Sequence, residues 1–198
     1  MAIGRRKMIK IFYDVETTGT EPNKHSLHQI AGIIEVDGVI KETFNIYSRP
    51  HPKALIDQSA LDTCKVSKET ILSYPDMQTA KNTFCRTIAK YVDKYDKKSK
   101  AYLVGYNNRG FDDKFLRMWF TLCDDPYFGS WFWSDSRDVL VLASEYLEPR
   151  RASMPDFQLH TVAKTLGIEV DKERLHDATY DVSLTYQIYQ IVTGLEIE

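Results

Sequence analysis

The chain has 198 residues, which fits one ordinary domain, and 43% of them are hydrophobic, enough to bury a core. Its formal net charge is −2, from 26 Lys and Arg against 28 Asp and Glu, which argues against a protein held to nucleic acid by diffuse positive charge. Three cysteines without a Cys-x-x-Cys pair predict neither a disulfide framework nor a zinc site.

The N-terminus is basic but contains no pattern of a targeting segment. Its apolar stretch is broken by Lys10 and ends at Asp14, before the core of a signal peptide is complete. No segment approaches the ~18 apolar residues of a membrane span. We therefore expect a cytoplasmic protein without a membrane partner.

Three strands are predicted at the start of the chain. Residues 8–13 are mostly apolar, as in a strand buried on both faces, and the run ends at an acidic segment. Two further apolar runs, 29–36 and 39–47, meet at Asp37-Gly38, a dipeptide that favours a two-residue hairpin turn. The first part of the sheet is therefore expected to be partly antiparallel.

Helices alternate with strands in the rest of the chain. An apolar stripe predicts a long helix over 76–95, and a fourth strand over 102–106 leads into a helix over 111–122. A short strand is expected within the aromatic-rich segment 127–133. Helices are then predicted over 137–147, 158–166 and 178–192. This order predicts an α/β fold with a mixed central sheet flanked by helices and the first strand in its middle.

An acidic pair lies where the first predicted strand ends. Asp14 and Glu16 are two residues apart, so their carboxylates point to the same face, where oxygen ligands suit a hard cation. About four such pairs are expected by chance in a chain with 28 acids, so the pair alone is a weak motif. A solvated strand end is the simpler explanation without further support.

Two later segments add more acids and a histidine. Asp112 and Asp113 begin the helix after the fourth strand, a position where an acid also commonly caps or complements the helix. His176 precedes Asp181 by five residues, which places the imidazole in a loop and the aspartate in the first turns of the next helix. A lone histidine in such a loop is more often a surface residue.

Together the three segments resemble the exonuclease motifs of the DEDDh (DnaQ-like) 3′→5′ exonuclease family, which is named for four acids and one histidine. The residues that match the motifs, in family order, are Asp14 to Gly19; Asn108 with Phe111 and Asp112; and His176 to Ala178 with Asp181. The similarity is greatest to the nuclease domain of bacterial exonuclease I, and it extends from Phe12 to about Tyr189. We therefore expect one DEDDh exonuclease domain over residues 1–198.

The resemblance implies a ribonuclease-H-like fold and two divalent cations, Mg²⁺ or Mn²⁺. Two such ions hold the scissile phosphate and position an attacking water. His176 is the expected general base, because a neutral imidazole accepts a proton near neutral pH. Asp138 is expected to support the site, and Asp113 is set aside because alignment through Phe111 and Phe115 selects its neighbour. The expected metal ligands, which are also catalytic, are Asp14, Glu16, Asp112 and Asp181.

Contacts with substrate follow from the same resemblance. Asn108 and the backbone around Thr17 and Thr18 are expected to hold the terminal nucleotide, and Arg109 either meets phosphate or solvates its loop. Aromatic faces stack on unpaired bases without demanding a sequence, although core packing is the simpler explanation for most aromatic residues near this loop. The stacking candidates are Tyr127, Phe128 and Trp131.

These features predict a metal-dependent 3′→5′ exonuclease that acts on single-stranded DNA and releases nucleoside 5′-monophosphates. Trimming of RNA stays open, because the sequence does not show whether the pocket accepts a ribose 2′-OH. A proofreading or repair subunit serving an unknown protein partner, or a silent binding module, also stays open, although all five catalytic residues are present. Exonuclease I has further domains that help enclose DNA, and this sequence ends at Glu198, so low processivity is expected.

Overall fold

The computed structural model describes residues 7–194, which form a five-stranded mixed sheet flanked by helices. The sheet order is β3-β2-β1-β4-β5, with antiparallel pairing among the first three strands and parallel pairing among the last three. The predicted α/β architecture with the first strand in the middle is confirmed. The strands are β1 (Ile9–Thr17), β2 (Leu27–Val36), β3 (Val39–Tyr47), β4 (Ala101–Gly105) and β5 (Arg137–Asp138).

Helices follow the strands along the chain. Two are short 3-10 segments, Glu148–Ser153 and Lys172–Arg174. The α-helices of the described residues are α1 (Gln58–Thr63), α2 (Lys68–Ser73), α3 (Met77–Ile88), α4 (Asp112–Leu122), α5 (Phe128–Trp131), α6 (Val139–Tyr146), α7 (Leu159–Thr165) and α8 (Ala178–Val192).

The central strand β1 is buried on both faces of the sheet. Ile11 and Tyr13 belong to the core cluster with α3 and α4, whereas Phe12 belongs to the cluster with α6, α7 and α8. Asp14 and Glu16 follow Phe12 at intervals of two residues, so they lie on the α8 side of the sheet. The alternation of β1 thereby decides which helices meet the acidic pair.

Two predicted elements differ in the structure. The helix predicted over 76–95 ends at Ile88, and the chain then turns where the Asp93 carboxylate and the Ser99 hydroxyl accept backbone N–H groups. The strand expected within 127–133 is instead helix α5, and only Phe132 forms an isolated bridge, to Ala101. The fifth strand is Arg137–Asp138, which was predicted as the start of a helix.

No helix within residues 7–194 is both long enough and apolar enough to cross a membrane. The basic start of the chain lies outside the described residues. The two ends of the predicted domain, Met1 and Glu198, also lie outside them.

Candidate active site

A cleft of about 610 Å³ lies where β1 ends, and its walls contain all five residues predicted to be catalytic. The acidic pair comes from β1, one aspartate from the first turn of α4, another from the first turn of α8, and the histidine from the loop before α8. Three segments that are far apart in sequence therefore meet in one cleft. The five residues are Asp14, Glu16, Asp112, His176 and Asp181.

Backbone hydrogen bonds fix two of the aspartates. The Oδ1 atom of Asp112 accepts a hydrogen bond from the N–H of Val15 at 3.2 Å, which ties α4 to β1 between the two acids of the pair. The Oδ2 atom of Asp181 accepts from the N–H of His176 at 3.2 Å. His176 has a φ of 67°, in the left-handed region, so the loop turns sharply before α8 begins.

Asp113 faces away from the cleft, into a buried hydrogen-bond network. Its Oδ1 accepts from the Tyr13 hydroxyl and, at 3.2 Å, from Nδ2 of Asn108, while its Oδ2 accepts from the Ser136 hydroxyl at 2.5 Å. The network joins β1, α4 and the loops before α4 and β5. It therefore holds the start of α4, and with it Asp112, against the sheet.

Tyr13→Phe is expected to destabilise the protein by about 1.5–3 kcal/mol, the range for losing a hydrogen bond to a charged group. Tyr13 is only 1% exposed, so water cannot replace its hydroxyl at Asp113. Urea unfolding followed by circular dichroism measures the change. The same substitution at Tyr95, which is 85% exposed, is the control and should alter the free energy of unfolding by less than about 0.5 kcal/mol. Equal effects at both positions would contradict the network.

The four acids of the cleft resist ionisation. Burial, and then the charges of Asp112, Glu16 and Asp181, raise the pKa of Asp14 well above its usual value. Burial is also the largest cause at the other three, raising the pKa of Glu16 to about 8, of Asp112 to about 7 and of Asp181 to about 6. The metal-free cleft is therefore a place where negative charge is crowded and a cation is favoured.

These raised pKa values predict that the metal-free protein loses stability as pH rises. Between the unfolded and folded pKa values, the folded state holds protons that the unfolded chain has already released. The stabilisation that these protons provide is therefore largest near pH 4, and it is lost as the pH rises through the pKa values of the folded state. His28 acts in the opposite sense below pH 6.5, because burial lowers its pKa to about 4. Above about pH 6.5 the carboxyls of the cleft, Asp14 included, therefore outweigh His28 in the pH dependence of stability.

The measurement is the melting temperature in excess chelator between about pH 6.5 and 8.5. We expect it to fall across this range in the parent protein and to fall less in Glu16→Gln, which has no charge to acquire. A melting temperature that rises with pH in the parent, or an equal slope in Glu16→Gln, would contradict the crowded-charge description of the cleft.

Oxygen ligands for a hard divalent cation are available in the cleft. Asp181 Oδ1 is buried and has no hydrogen-bond partner among the described residues. Within residues 7–194, however, no three acidic, His or Cys side chains are already arranged around one point as metal ligands. Glu16 Oε2 accepts a hydrogen bond from Sγ of Cys64 at 2.8 Å. The donor set suits a cation, provided that side chains such as Glu16 rotate towards it.

Asp138 supports the loop that precedes α4. Its Oδ1 accepts hydrogen bonds from the N–H of Asn107 at 2.9 Å and from the N–H of Leu140 at 3.0 Å. It therefore caps α6 and fixes the turn at Asn107, whose φ is 57°. Gly105 allows this turn, because a Cβ there would lie 2.7 Å from Cβ of Asn108.

The residues predicted to hold the terminal nucleotide do not line the cleft. The Asn108 side chain is fully buried and donates to Asp113, so direct contact with substrate is not supported. Thr17 and Thr18 are buried, and the N–H and C=O of Thr18 already pair with Ser26 and Asp57. Packing has thus paired Nδ2 of Asn108 and the backbone of Thr18, whereas Oδ1 of Asn108 is buried without a hydrogen-bond partner among the described residues.

Arg109 is exposed, but it lines a separate groove beside α6 rather than the cleft. The stacking prediction is wrong for Phe128 and Trp131, which are 7% and 5% exposed and belong to the core with α3 and α4. Tyr127 is 64% exposed, but it is not part of the cleft wall.

The sequence prediction missed part of the cleft wall. Tyr106 follows β4, and its hydroxyl donates to the carbonyl of Phe157 at 2.6 Å, which joins two walls of the cleft. His160, at the start of α7, also lines the cleft. Phe157 and Leu159 lie within the stretch that resembles exonuclease I, and that resemblance was the sequence signal for this wall.

The comparisons with known proteins agree with the motifs. The family model RNase_T, described as an exonuclease, matches residues 11–189. Exodeoxyribonuclease I of Escherichia coli (strain K12) is 29% identical over 203 residues, covering 96% of this chain and 41% of that protein. DNA polymerase III PolC-type of Mycoplasmopsis pulmonis (strain UAB CTIP) is 27% identical over 179 residues, covering 90% of this chain and 11% of that protein. The chain thus spans well under half the length of either relative.

Solved structures show the same similarity. E. coli exonuclease I in complex with a dT13 oligonucleotide matches with a TM-score of 0.74 and 25% identity, over 94% of this chain and 41% of that chain. Its complex with a dA16 oligonucleotide matches with a TM-score of 0.74 and 26% identity, over the same shares of the two chains. Because the family model covers most of the sequence, the chain belongs to the RNase_T exonuclease family, and the resemblance to DEDDh exonucleases is confirmed.

Proposed function

We propose that this protein is a metal-dependent 3′→5′ exonuclease that acts on single-stranded DNA and releases nucleoside 5′-monophosphates. The observation that carries the proposal is the cleft, in which four acids from β1, α4 and α8 meet a histidine. Family membership supports the reaction type.

The proposed ligands of two divalent cations, Mg²⁺ or Mn²⁺, are Asp14, Glu16, Asp112 and Asp181. When bound, such cations supply positive charge to the scissile phosphate and to the leaving 3′ oxygen. The contribution of the chain is to hold four carboxyls close together at the end of a rigid strand. Burial and then their mutual repulsion raise the pKa of Asp14, and a bound cation relieves both effects.

His176 is the proposed general base. Its side chain is exposed at the cleft, where a neutral ring nitrogen can accept the proton of an attacking water. Its backbone N–H is held by Asp181. This bond keeps the loop of His176 next to Asp181, one of the proposed metal ligands, and so keeps the proposed base beside the proposed phosphate site.

Single-stranded DNA is the proposed substrate, because the matching E. coli structures contain the oligonucleotides dT13 and dA16. A free strand enters the cleft without the unpairing energy that a duplex end requires. A proofreading role beside a protein partner is the second candidate, since a DNA polymerase III PolC-type protein is also similar to this chain. Trimming of RNA is the third candidate, and it depends on space for the 2′-OH.

Competition among labelled substrates tests the proposal. Single-stranded DNA, blunt duplex DNA, duplex DNA with a mismatched 3′ end and single-stranded RNA of matched sequence are digested together with Mg²⁺ present. We expect single-stranded DNA to be shortened fastest. Faster shortening of RNA would move the assignment to an exoribonuclease, and preference for a duplex with a mismatched 3′ end over the free strand would favour proofreading.

A further inference from the structure

A cysteine outside the cleft wall makes a hydrogen bond to one of the proposed metal ligands. The thiol of Cys64 donates to Oε2 of Glu16, with 2.8 Å between Sγ and the oxygen. Within residues 7–194, this is the only hydrogen bond to the Glu16 carboxylate, so Oε1 has no partner there. Glu16 lines the cleft, whereas Cys64 does not. The cysteine therefore reaches the site only through this carboxylate.

Both ends of α1 are anchored, which fixes the position of Cys64. At the start of the helix, the N–H of Asp57 donates to the carbonyl of Thr18, the residue after β1, at 2.8 Å. At its end, Cys64 is the C-terminal cap, and Nζ of the next residue, Lys65, donates to the carbonyl of Glu173 at 2.7 Å. Glu173 belongs to the segment that leads into α8. Cys64 is thus held between the strand and the helix that carry three of the proposed metal ligands.

Two other proposed metal ligands are held in the same way. Asp112 accepts a hydrogen bond from the N–H of Val15, and Asp181 accepts one from the N–H of His176. In Asp181 the other oxygen, Oδ1, is buried and has no hydrogen-bond partner in the described part of the chain. A donor thus holds one oxygen of each carboxyl in place. At Glu16 the donor is a side chain, so a substitution can remove it.

A carboxylate that is held by one oxygen can still offer the other to a cation. The glutamate side chain is long, and confining it to one rotamer costs conformational entropy. The hydrogen bond from Cys64 confines Glu16 before a cation binds and leaves Oε1 without a partner. Removing a group that holds a metal-ligating side chain by a hydrogen bond typically lowers metal affinity about 10–100-fold. The contact is therefore expected to favour cation binding.

We propose that Cys64 is a positioning residue of the metal site, whose thiol holds Glu16 ready for a divalent cation and so raises the affinity of the cleft for that cation. The inference rests on the proposed function, in which Glu16 is a metal ligand. Cys64 acts on the site through Glu16 alone.

Binding of Mn²⁺ in the absence of DNA, measured by isothermal titration calorimetry, tests the inference. Cys64→Ala removes the donor, and Cys85→Ala is the matched control, because Cys85 is a part-buried cysteine that packs against the core with α3 and α4. We expect Cys64→Ala to bind Mn²⁺ about 5–20-fold more weakly than this control, near the lower end of the usual range because a thiol is a weak donor. Cys64→Ser keeps a donor and should stay within about threefold of the parent.

A double-mutant cycle shows whether Cys64 acts through Glu16. Glu16→Ala removes both the acceptor of the hydrogen bond and the proposed ligand. In this background, Cys64→Ala should change the affinity for Mn²⁺ by less than about twofold, because residues that act through one another do not contribute additively.

Equal affinities for Mn²⁺ in Cys64→Ala and Cys85→Ala would overturn the inference. The same loss in Cys64→Ser as in Cys64→Ala would also overturn it, because it indicates packing rather than a hydrogen bond. An undiminished effect of Cys64→Ala in the Glu16→Ala background would overturn it as well. In these three cases the parent still binds Mn²⁺, so the proposed function stands. Failure of the parent to bind Mn²⁺, or digestion of DNA by the parent in excess chelator, would instead overturn the proposed function and this inference with it.

Discussion

Asp14→Asn should lower the exonuclease rate by at least about 10³-fold, or roughly 4 kcal/mol of transition-state stabilisation, without lowering the melting temperature. The charge of Asp14 opposes burial and the charges of Asp112, Glu16 and Asp181, as its raised pKa shows. A neutral amide of nearly the same shape relieves that repulsion but is a poorer cation ligand. Loss of activity with an unchanged or higher melting temperature distinguishes a functional acid from a structural one.

Rate measurements on single-stranded DNA and melting curves in chelator test this prediction together. Asp135→Asn is the matched control, because Asp135 is exposed and does not line the cleft. We expect that variant to match the parent in both measurements. A rate for Asp14→Asn within about tenfold of the parent would remove Asp14 from the reaction, since a required metal ligand cannot be lost at so small a cost.

His176→Asn should slow the reaction by about 10²–10⁴-fold, which is the usual loss when a general base is removed. Asparagine is chosen because it tolerates left-handed backbone better than most residues, and His176 has a φ of 67°. The backbone bond to Asp181 is therefore expected to survive, so the loss reports the imidazole. The proposed metal ligands are untouched, and metal binding measured by the shift in melting temperature should stay close to that of the parent.

The dependence of the rate on pH separates a base from a residue that only shapes the loop. A base must be neutral to accept a proton, so the parent rate should rise with pH on the acid side and His176→Asn should lose that rise. His160→Asn, in the same cleft, is the control and should keep it. If the rate falls equally towards low pH in the parent and in His176→Asn, His176 is not the base.

The sheet and the acidic cleft were predictable because they depend on short-range patterns. The apolar run before Asp14, the Asp37-Gly38 turn and the motif at His176 each occupy a few adjacent residues, and the structure retains β3 and α8 with the predicted bounds. Family motifs then indicated which acids converge. The order of the predicted strands was then enough to predict that these acids meet in one cleft.

The substrate contacts were less predictable because they depend on burial by residues far away in sequence. Phe128 and Trp131 occupy a segment that could have been an exposed loop, but α5 turns both rings into the core, where Phe128 packs edge-on against Phe120. Asn108 carries the family motif, yet its side chain is fully buried and its Nδ2 donates to Asp113.

The most direct test of the proposed function follows one single-stranded DNA oligonucleotide labelled at its 5′ end. The protein is first incubated with the DNA in excess chelator, and Mg²⁺ or Mn²⁺ is then added in excess over the chelator. We expect no shortening before the addition, a ladder that shortens from the 3′ end after it, and nucleoside 5′-monophosphates as the released products. Shortening in the chelator, or products that carry a 3′ phosphate, would contradict a metal-dependent 3′→5′ exonuclease built on the four acids of the cleft.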